Sequence, residues 1–227
     1  MIDWDAQNAI FLEDNEWQMR MRDSILVPYY ERVYRGRYEL IDPKSDPRAA
    51  GGCDTILDGK RIDEKIVRWP IDKETKKPRE YGYDAFAFET WSCTIEDYVK
   101  LGWMATNDVA FILYCFVSLD QKSMICYLID YPQLHKWFYS QPEDRWPPSY
   151  SNQANRTLVR VVPIADVVAN VWTKQFSLSR PQPQNVCKAC GRPDANFVAI
   201  GDPHSDKVVN AYLHRECERA FLQTLGG

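Results

Sequence analysis

Two groups of residues in this chain carry donor atoms at spacings that chemistry uses. Near the C-terminal end, Cys187-Lys-Ala-Cys190 is followed after 23 intervening residues by His214-Arg-Glu-Cys217. Two pairs of soft or borderline donors, each pair gripping from one short turn or helix start, suit a closed tetrahedral zinc site. Gly191, directly after the first pair, supplies the tight turn of a zinc knuckle. With all four positions filled by protein, Cys187, Cys190, His214 and Cys217 point to a structural rather than a catalytic Zn²⁺. A module of about forty residues has too small a core to be stable alone, so metal binding would supply much of its folding energy. A redox dithiol at Cys187 and Cys190 is the other reading, but it does not require the second pair. His204, in a Gly-Asp-Pro-His stretch, reads as a surface residue.

The second group lies on a hairpin. Cys53-Asp54-Thr55-Ile56-Leu57 and Lys60 to Val67 flank Asp58-Gly59, and Asp-Gly between two strand-like runs signals a two-residue turn. Pairing outward from that turn sets Asp54 opposite Asp63. Lys65, two residues on, shares the face of Asp63 because side chains along a strand alternate. Opposed carboxylates destabilise a strand pair by up to about 1 kcal/mol unless a cation lies between them. A divalent metal would be that cation, and hard oxygen ligands select Mg²⁺ or Mn²⁺. Asp54 and Asp63 would then hold the metal, which acidifies an attacking water and neutralises charge on a phosphate, while Lys65 orients or helps deprotonate that water.

An Asp at the end of one strand, then Asp/Glu-x-Lys on the next, preceded by a helix and followed by a helix and further strands, resembles the PD-(D/E)xK nuclease superfamily. Here the motif is Asp54 and Asp63-Glu64-Lys65. Cys53 stands where many members have Pro, and Asp63 where Glu is more usual. The resemblance covers about residues 10 to 140, and Gly102-Trp103, Asp108 and the strand reaching Tyr114 look like the resolvase-type members. It implies a restriction-endonuclease-like fold, a mixed-sheet α/β core flanked by helices, and a metal-dependent nuclease acting on nucleic acid, most often DNA. Glu89 and Asp14 are accessory candidates for the metal. Lys60, Arg61 and Arg68 are candidates for phosphate contacts, and Tyr29, Tyr30, Trp91 and Trp103 for stacking on bases.

These residues need elements to position them. Ile10, Trp17, Met21 and Ile25 recur at helical spacing within a helix running to Tyr34, which Pro28 should kink or end. Pro43 to Gly52 reads as a loop and Asp72 to Arg79 as a polar stretch. Ala85 to Trp91, Val109 to Val117, Met124 to Asp130 and Arg156 to Val162 read as strands. Helices are expected from near Thr94, with Glu96 and Asp97 in the first turn, over Gln133 to Ser140 and over Ile164 to Phe176. The boundaries that follow are a nuclease-like domain over 1–178, a Pro-containing linker over 179–186 and a zinc module over 187–227.

Composition narrows the function classes. The 227 residues are 45% hydrophobic and 26% charged, which describes a globular chain of one sizeable domain and an appendage. Seven cysteines, four of them single in strand-like segments, suit reduced thiols better than disulfides. No apolar run is long enough to span a bilayer and no basic region precedes an apolar segment at the start, so a cytoplasmic protein without a membrane partner is expected. The net charge of −4 lacks the footprint of a protein held to nucleic acid by charge alone. Thirteen of the 28 Lys and Arg nevertheless fall between Glu31 and Glu80, where a polyanion would be steered. Three histidines leave little for a Ser-His-Asp or His-metal centre, and no Gly-rich phosphate loop occurs. The expected function is a metal-dependent nuclease whose zinc module helps to bind substrate or a protein partner. The alternative is a non-catalytic nucleic-acid- or protein-binding adaptor on the same scaffold.

Overall fold

The first helical segment is built on one apolar stripe. Helix α1 (Trp4–Met21) leads through a five-residue π-turn (Arg22–Leu26) into α2 (Val27–Tyr34), and Trp17, Met21, Ile25, Leu26 and Tyr30 are buried along it. Pro28 does not end this run, the part of the sequence expectation that the structure corrects. It sits in the first turn of α2, where its missing N–H costs nothing. The wider turn before it, closed by Val27 N–H on the Arg22 carbonyl, absorbs the crowding a proline ring imposes on the carbonyl four residues back.

The computed structural model describes residues 4–69, 84–95, 98–152, 156–180, 196–201 and 208–213, in two compact units, Met1–Arg180 and Pro181–Gly227. In the larger unit, β1 (Tyr38–Leu40), β2 (Thr55–Leu57), β3 (Lys60–Val67), β6 (Phe111–Val117), β7 (Ser123–Asp130) and β10 (Thr173–Ser179) form a six-stranded sheet in that spatial order. It is mixed: β3 and β6 run parallel and the other pairs antiparallel. A second, antiparallel sheet has the order β5 (Tyr98–Leu101), β4 (Ala85–Ile95), β9 (Thr157–Pro163), β8 (Ser149–Asn152). Between the parallel strands β3 and β6 the chain carries β4, β5 and the four-residue helix α3 (Trp103–Thr106).

Strand β6 shows how the layers are made. Ile112, Tyr114 and Phe116 pack into one core with Phe86, Phe88 and Val162 of the second sheet and with Leu134 and Phe138 of α4 (Tyr131–Tyr139). Leu113, Cys115 and Val117 pack into the other core, against the α1–α2 stripe. The period of two therefore buries both faces, as a sheet covered on both sides requires. Cys53, Cys93, Cys115 and Cys126 are buried free thiols.

Two expected helices give way to strands. From Thr94 the chain stays extended, with Thr94 opposite Val99 and Ile95 opposite Tyr98, because β4 has a neighbour there to satisfy its backbone. Glu96 and Asp97 lie outside the described residues. The helix from Ile164 stops at Asn170 as α5 (Ile164–Asn170), and Thr173–Ser179 forms the edge strand β10 against β7. That edge would otherwise expose unpaired groups. In the smaller unit, β11 (Asn196–Gly201) and β12 (Val208–Leu213) form an antiparallel hairpin with Asn196 opposite Leu213. Cys187, Cys190, His214 and Cys217 lie outside the described residues, as does the 181–186 part of the linker.

A buried ion pair ties the helix to the sheet. Arg22 Nε lies 2.9 Å from Glu64 Oε2, and both side chains are almost wholly buried. Its Nη2 donates to Thr55 Oγ1 at 2.7 Å and to the Asp54 carbonyl at 2.6 Å. Glu64 Oε1 accepts from Tyr30 at 2.8 Å and from Thr55 at 2.6 Å. Removing one charge of such a pair strands the other in a low-dielectric site and costs about 3–5 kcal/mol. Arg22→Met is therefore expected to lower the urea midpoint severely. Adding Glu64→Gln, which keeps an oxygen for Tyr30 and Thr55, should recover a large part of that loss. Equal losses in the single and double variants would mean that the pair is not electrostatically coupled.

Candidate functional site

The hairpin forms with the register read from the sequence over Thr55, Ile56 and Leu57, which face Ile62, Arg61 and Lys60, and the ladder ends there, short of the expected Asp54–Asp63 pair. Asp58 and Gly59 both take positive φ, at 49° and 74°, the combination a tight hairpin turn needs to match strand twist. Asp54 immediately precedes β2. Its N–H donates to the Ile62 carbonyl, its carbonyl accepts from Ile41 N–H, and its Oδ2 accepts from Glu64 N–H at 2.8 Å. The Arg22 bond to the same carbonyl completes the clamp. Oδ1 of Asp54 has no hydrogen-bond partner among the described residues.

Strand β3 divides its polar residues between two faces. Glu64 shares the helix-facing side with Ile62 and Ile66. Asp63 and Lys65 take the other side and form an ion pair of 2.7 Å, in which the Asp63 side chain is 1% exposed and that of Lys65 28%. Asn107, just after α3, donates through Nδ2 to Asp63 Oδ2, and Lys65 Nζ lies 5.1 Å from the centre of the Trp103 ring. A side chain at Gly52, whose φ is +77°, would collide with the Asn107 amide, and one at Gly102 with the Glu89 carbonyl. Both glycines thus allow the close approach that brings α3 and Asn107 to the hairpin.

Burial and the neighbouring Asp63 charge raise the pKa of Asp54 from 3.8 to about 7, against the opposing effects of the Glu64 N–H and of Lys65. A group so held favours either a proton or a cation beside it. The donor set fits a hard divalent ion. Two carboxylates with a lysine alongside would leave most coordination positions to water and substrate, as Mg²⁺ prefers. Asp54 offers a free oxygen, whereas both Asp63 oxygens are already engaged. Among the described residues no group of three or more His, Cys, Asp and Glu is placed to hold a metal. A groove of about 760 Å³ reaches Asp54, lined by Asn15, Glu16 and Met19 of α1, by Arg22 and Glu64, and by Lys44 of the loop before β2.

The other sequence candidates are placed as follows. Arg61 is committed to Asp108 at 2.6 Å and to the Arg48 carbonyl at 3.1 Å, which fixes the loop beside Gly51. Arg68 lies 4.7 Å from the Trp17 ring centre and pairs with Asp14 at 2.9 Å, so Asp14 faces a cation rather than the hairpin carboxylates. Glu89 accepts from Ser92 on the second sheet. Lys60 is exposed beside the turn. Tyr30 is fully buried, and Tyr29 stacks on Phe176 with ring centres 5.6 Å apart. Trp103 covers Lys65, and Trp91 faces a separate cavity.

Arg22, Thr55, Glu64 and Asn107 belong to the site and were not read from the sequence. For Glu64 a signal existed, since its alternation with Ile62 and Ile66 puts a carboxylate on an apolar face. Asn107 had none, because only the packing of α3 brings it to Asp63. Comparison of the chain with protein-family models, with curated proteins and with solved structures finds no match.

The raised pKa of Asp54 has a defined sign in stability. The folded state holds its proton to about pH 7, whereas the unfolded chain releases it near pH 3.8. Stability from this group is therefore fully present below pH 3.8 and is lost as pH rises through 7. Without divalent metal, Asp54→Asn should be more stable than wild type at pH 8, by an amount on the order of 4 kcal/mol, and the gap should close towards pH 4. A gap independent of pH would show that Asp54 does not titrate in this range.

Proposed function

We propose that the chain is a metal-dependent phosphodiesterase acting on nucleic acid, with DNA as its substrate, built on a restriction-endonuclease-like core. The observation that carries this reading is the convergence of Asp54, Asp63 and Lys65 at the hairpin, with Asp54 electrostatically short of a cation. The arrangement of helix, strands β1 to β3 and a parallel neighbour β6 supports it; the groove at Asp54 opens on the Glu64 side of β3 and does not reach Asp63 or Lys65. The intervening segment differs from the plain helix of the resemblance, since it carries β4, β5 and the short α3.

Asp54 and Asp63 would hold Mg²⁺ or Mn²⁺, which lowers the pKa of bound water and offsets charge on a phosphate when present. The remaining work falls to the protein. Lys65, fixed between Asp63 and Trp103, holds a positive charge where a phosphate oxygen or the attacking water would lie, and Asn107 keeps Asp63 oriented. The Arg22–Glu64 pair holds the backbone of Asp54 in place. One observation favours the non-catalytic adaptor as second reading: Asp63 is sealed from solvent, with both oxygens satisfied by Lys65 and Asn107.

Cleavage of single-stranded, double-stranded and branched DNA and of RNA, with Mg²⁺ or Mn²⁺, is the deciding experiment. Asp54→Ala, Asp63→Ala and Lys65→Ala should each reduce turnover by at least about a hundredfold. The aspartate variants should also lose the thermal shift that metal gives the wild type, and Lys65→Ala should keep it. If no substrate is cut and metal shifts no melting curve, the adaptor reading replaces this one.

The smaller unit is proposed to bind one structural Zn²⁺ through Cys187, Cys190, His214 and Cys217. Pairing of Asn196 with Leu213 supports this, because the segments carrying the two ligand pairs enter and leave the same end of the β11–β12 hairpin. Cys190→Ser should lose zinc, measured per chain by metal analysis, and destabilise residues 187–227 while leaving the larger unit folded. A wild-type protein purified without chelators yet free of zinc would dismiss the site. The module would serve as a contact for nucleic acid or a protein partner. Among the described residues no helix is long and apolar enough to cross a membrane.

A further inference from the structure

A second cavity, of about 540 Å³, opens on the second sheet, lined by residues of β4, β5, α3, α4 and β9. Its walls are aromatic and its charges are few. Trp91 reaches it from a stretch of β4 where the register shifts between Glu89 and Trp91 and again between Trp91 and Cys93, an irregularity of the kind that re-aims a side chain. His135 and Tyr139, one helical turn apart on α4, add two rings with centres 4.7 Å apart, and Tyr139 is half exposed.

Arg160 is the cation of this cavity. Its guanidinium lies 5.7 Å from the Phe138 ring centre, and among the described residues its buried Nε has no hydrogen-bond acceptor. Among the described residues no carboxylate forms an ion pair with it. A buried, unanswered guanidinium N–H carries a free-energy cost that a bound oxyanion removes, and Arg is the side chain whose planar fork matches phosphate. Glu143, at the rim, is the one carboxylate among the lining residues and can accept from an amino group. Thr90 and Gln141 also line the cavity but are already engaged, Thr90 with the Leu158 carbonyl and Gln141 with the Trp137 carbonyl and Arg145.

We propose that this cavity binds an amino-bearing nucleotide, with its base against the Trp91, His135 and Tyr139 rings and its phosphate on Arg160. Flat rings take a base face, Arg160 takes the phosphate and Glu143 takes the exocyclic amine. Few other metabolite classes present all three features together. The volume suits a small ligand, within the range of about 300–1,000 Å³ usual for such sites. The nucleotide comes either as a free mononucleotide or as one unit of a strand. The inference stands independently of any cleavage at the hairpin.

Calorimetric titration of the full-length chain, without divalent metal, tests it with adenosine 5′-monophosphate, adenosine and a single-stranded eight-nucleotide oligo(dA). Wild type should bind the monophosphate at one site per chain. Arg160→Gln should weaken that binding at least tenfold while leaving adenosine binding unchanged. Ala105→Phe, at an exposed α3 position lining the cavity, fills the space with little risk to folding and should abolish both. Asp54→Asn should bind as wild type, which separates this site from the hairpin. Binding of the oligonucleotide alone, with the same sensitivity to Arg160→Gln and Ala105→Phe, would identify the occupant as a unit of a strand. Failure of all three probes to bind overturns the proposal. So does wild-type binding of monophosphate and oligonucleotide by Arg160→Gln and Ala105→Phe proteins of unchanged melting temperature.

Discussion

The Arg22–Glu64 ion pair is the constraint on which the rest of the site depends. A guanidinium and a carboxylate shut away from water are tolerable only when each finds several partners. Arg22 meets this demand with Glu64, the Thr55 hydroxyl and the Asp54 carbonyl, and Glu64 with Tyr30 and Thr55. Satisfying all of them at once fixes the helix against the hairpin in one position. The π-turn belongs to the same arrangement, because Arg22 opens it and Tyr30 lies one turn beyond it, both directed at the sheet. A network like this stabilises less than an apolar core of equal volume would, but it penalises misplacement more heavily.

Beneath that network, β3 acts as a two-faced element. Glu64 on the helix side is a structural acid, neutralised and hydrogen-bonded. Asp63 and Lys65, one step along the pleat, face the layer between the sheets, where Asn107 and Trp103 hold them. The DxK order therefore sends its middle residue to support the fold and its outer two to the site. Asp54 sits at the junction, its backbone held by the Arg22 side and its carboxyl exposed to the charge of Asp63.

Charge in the site is unevenly matched. Lys65 answers Asp63 directly, whereas Asp54, whose burial and the Asp63 charge raise its pKa to about 7, is offset only by a backbone N–H and by the more distant lysine. This residual negative potential is what makes the pair a candidate for a divalent cation. It also separates the hairpin from the Arg160 cavity, whose uncompensated charge is positive. The two places ask for opposite ligands, so neither substitutes for the other. α3 lies between them in the chain, with Trp103 and Asn107 facing the hairpin and Ala105 the cavity.

What the sequence alone determined is what local physics determines. The apolar stripe of Trp17, Met21 and Ile25 reads as a helix because a 3.6-residue repeat has one solution. The hairpin register follows because Asp58-Gly59 admits a two-residue turn, which then pairs Thr55 with Ile62 and puts Asp63 and Lys65 on one face; the place of Asp54, whose N–H also turns to the Ile62 carbonyl, was not legible. The strands at Phe111–Val117 and Ser123–Asp130 are legible from their continuous apolar runs. Other features needed the tertiary structure. Thr94 and Ile95 and the stretch after Asn170 become strands because a neighbouring strand offers hydrogen bonds, and that supply is invisible to a local pattern. Pro28 stays within a helical run because the π-turn before it makes room. Arg61 and Arg68 have the composition of phosphate-binding residues, yet packing gives them to Asp108 and to Trp17 and Asp14. Asn107 enters the site, and Arg160 comes to line a cavity, only through the way α3 and the second sheet fold over the hairpin. Partners that lie far apart in the chain are chosen by three-dimensional contact, and spacing along the sequence does not encode that choice.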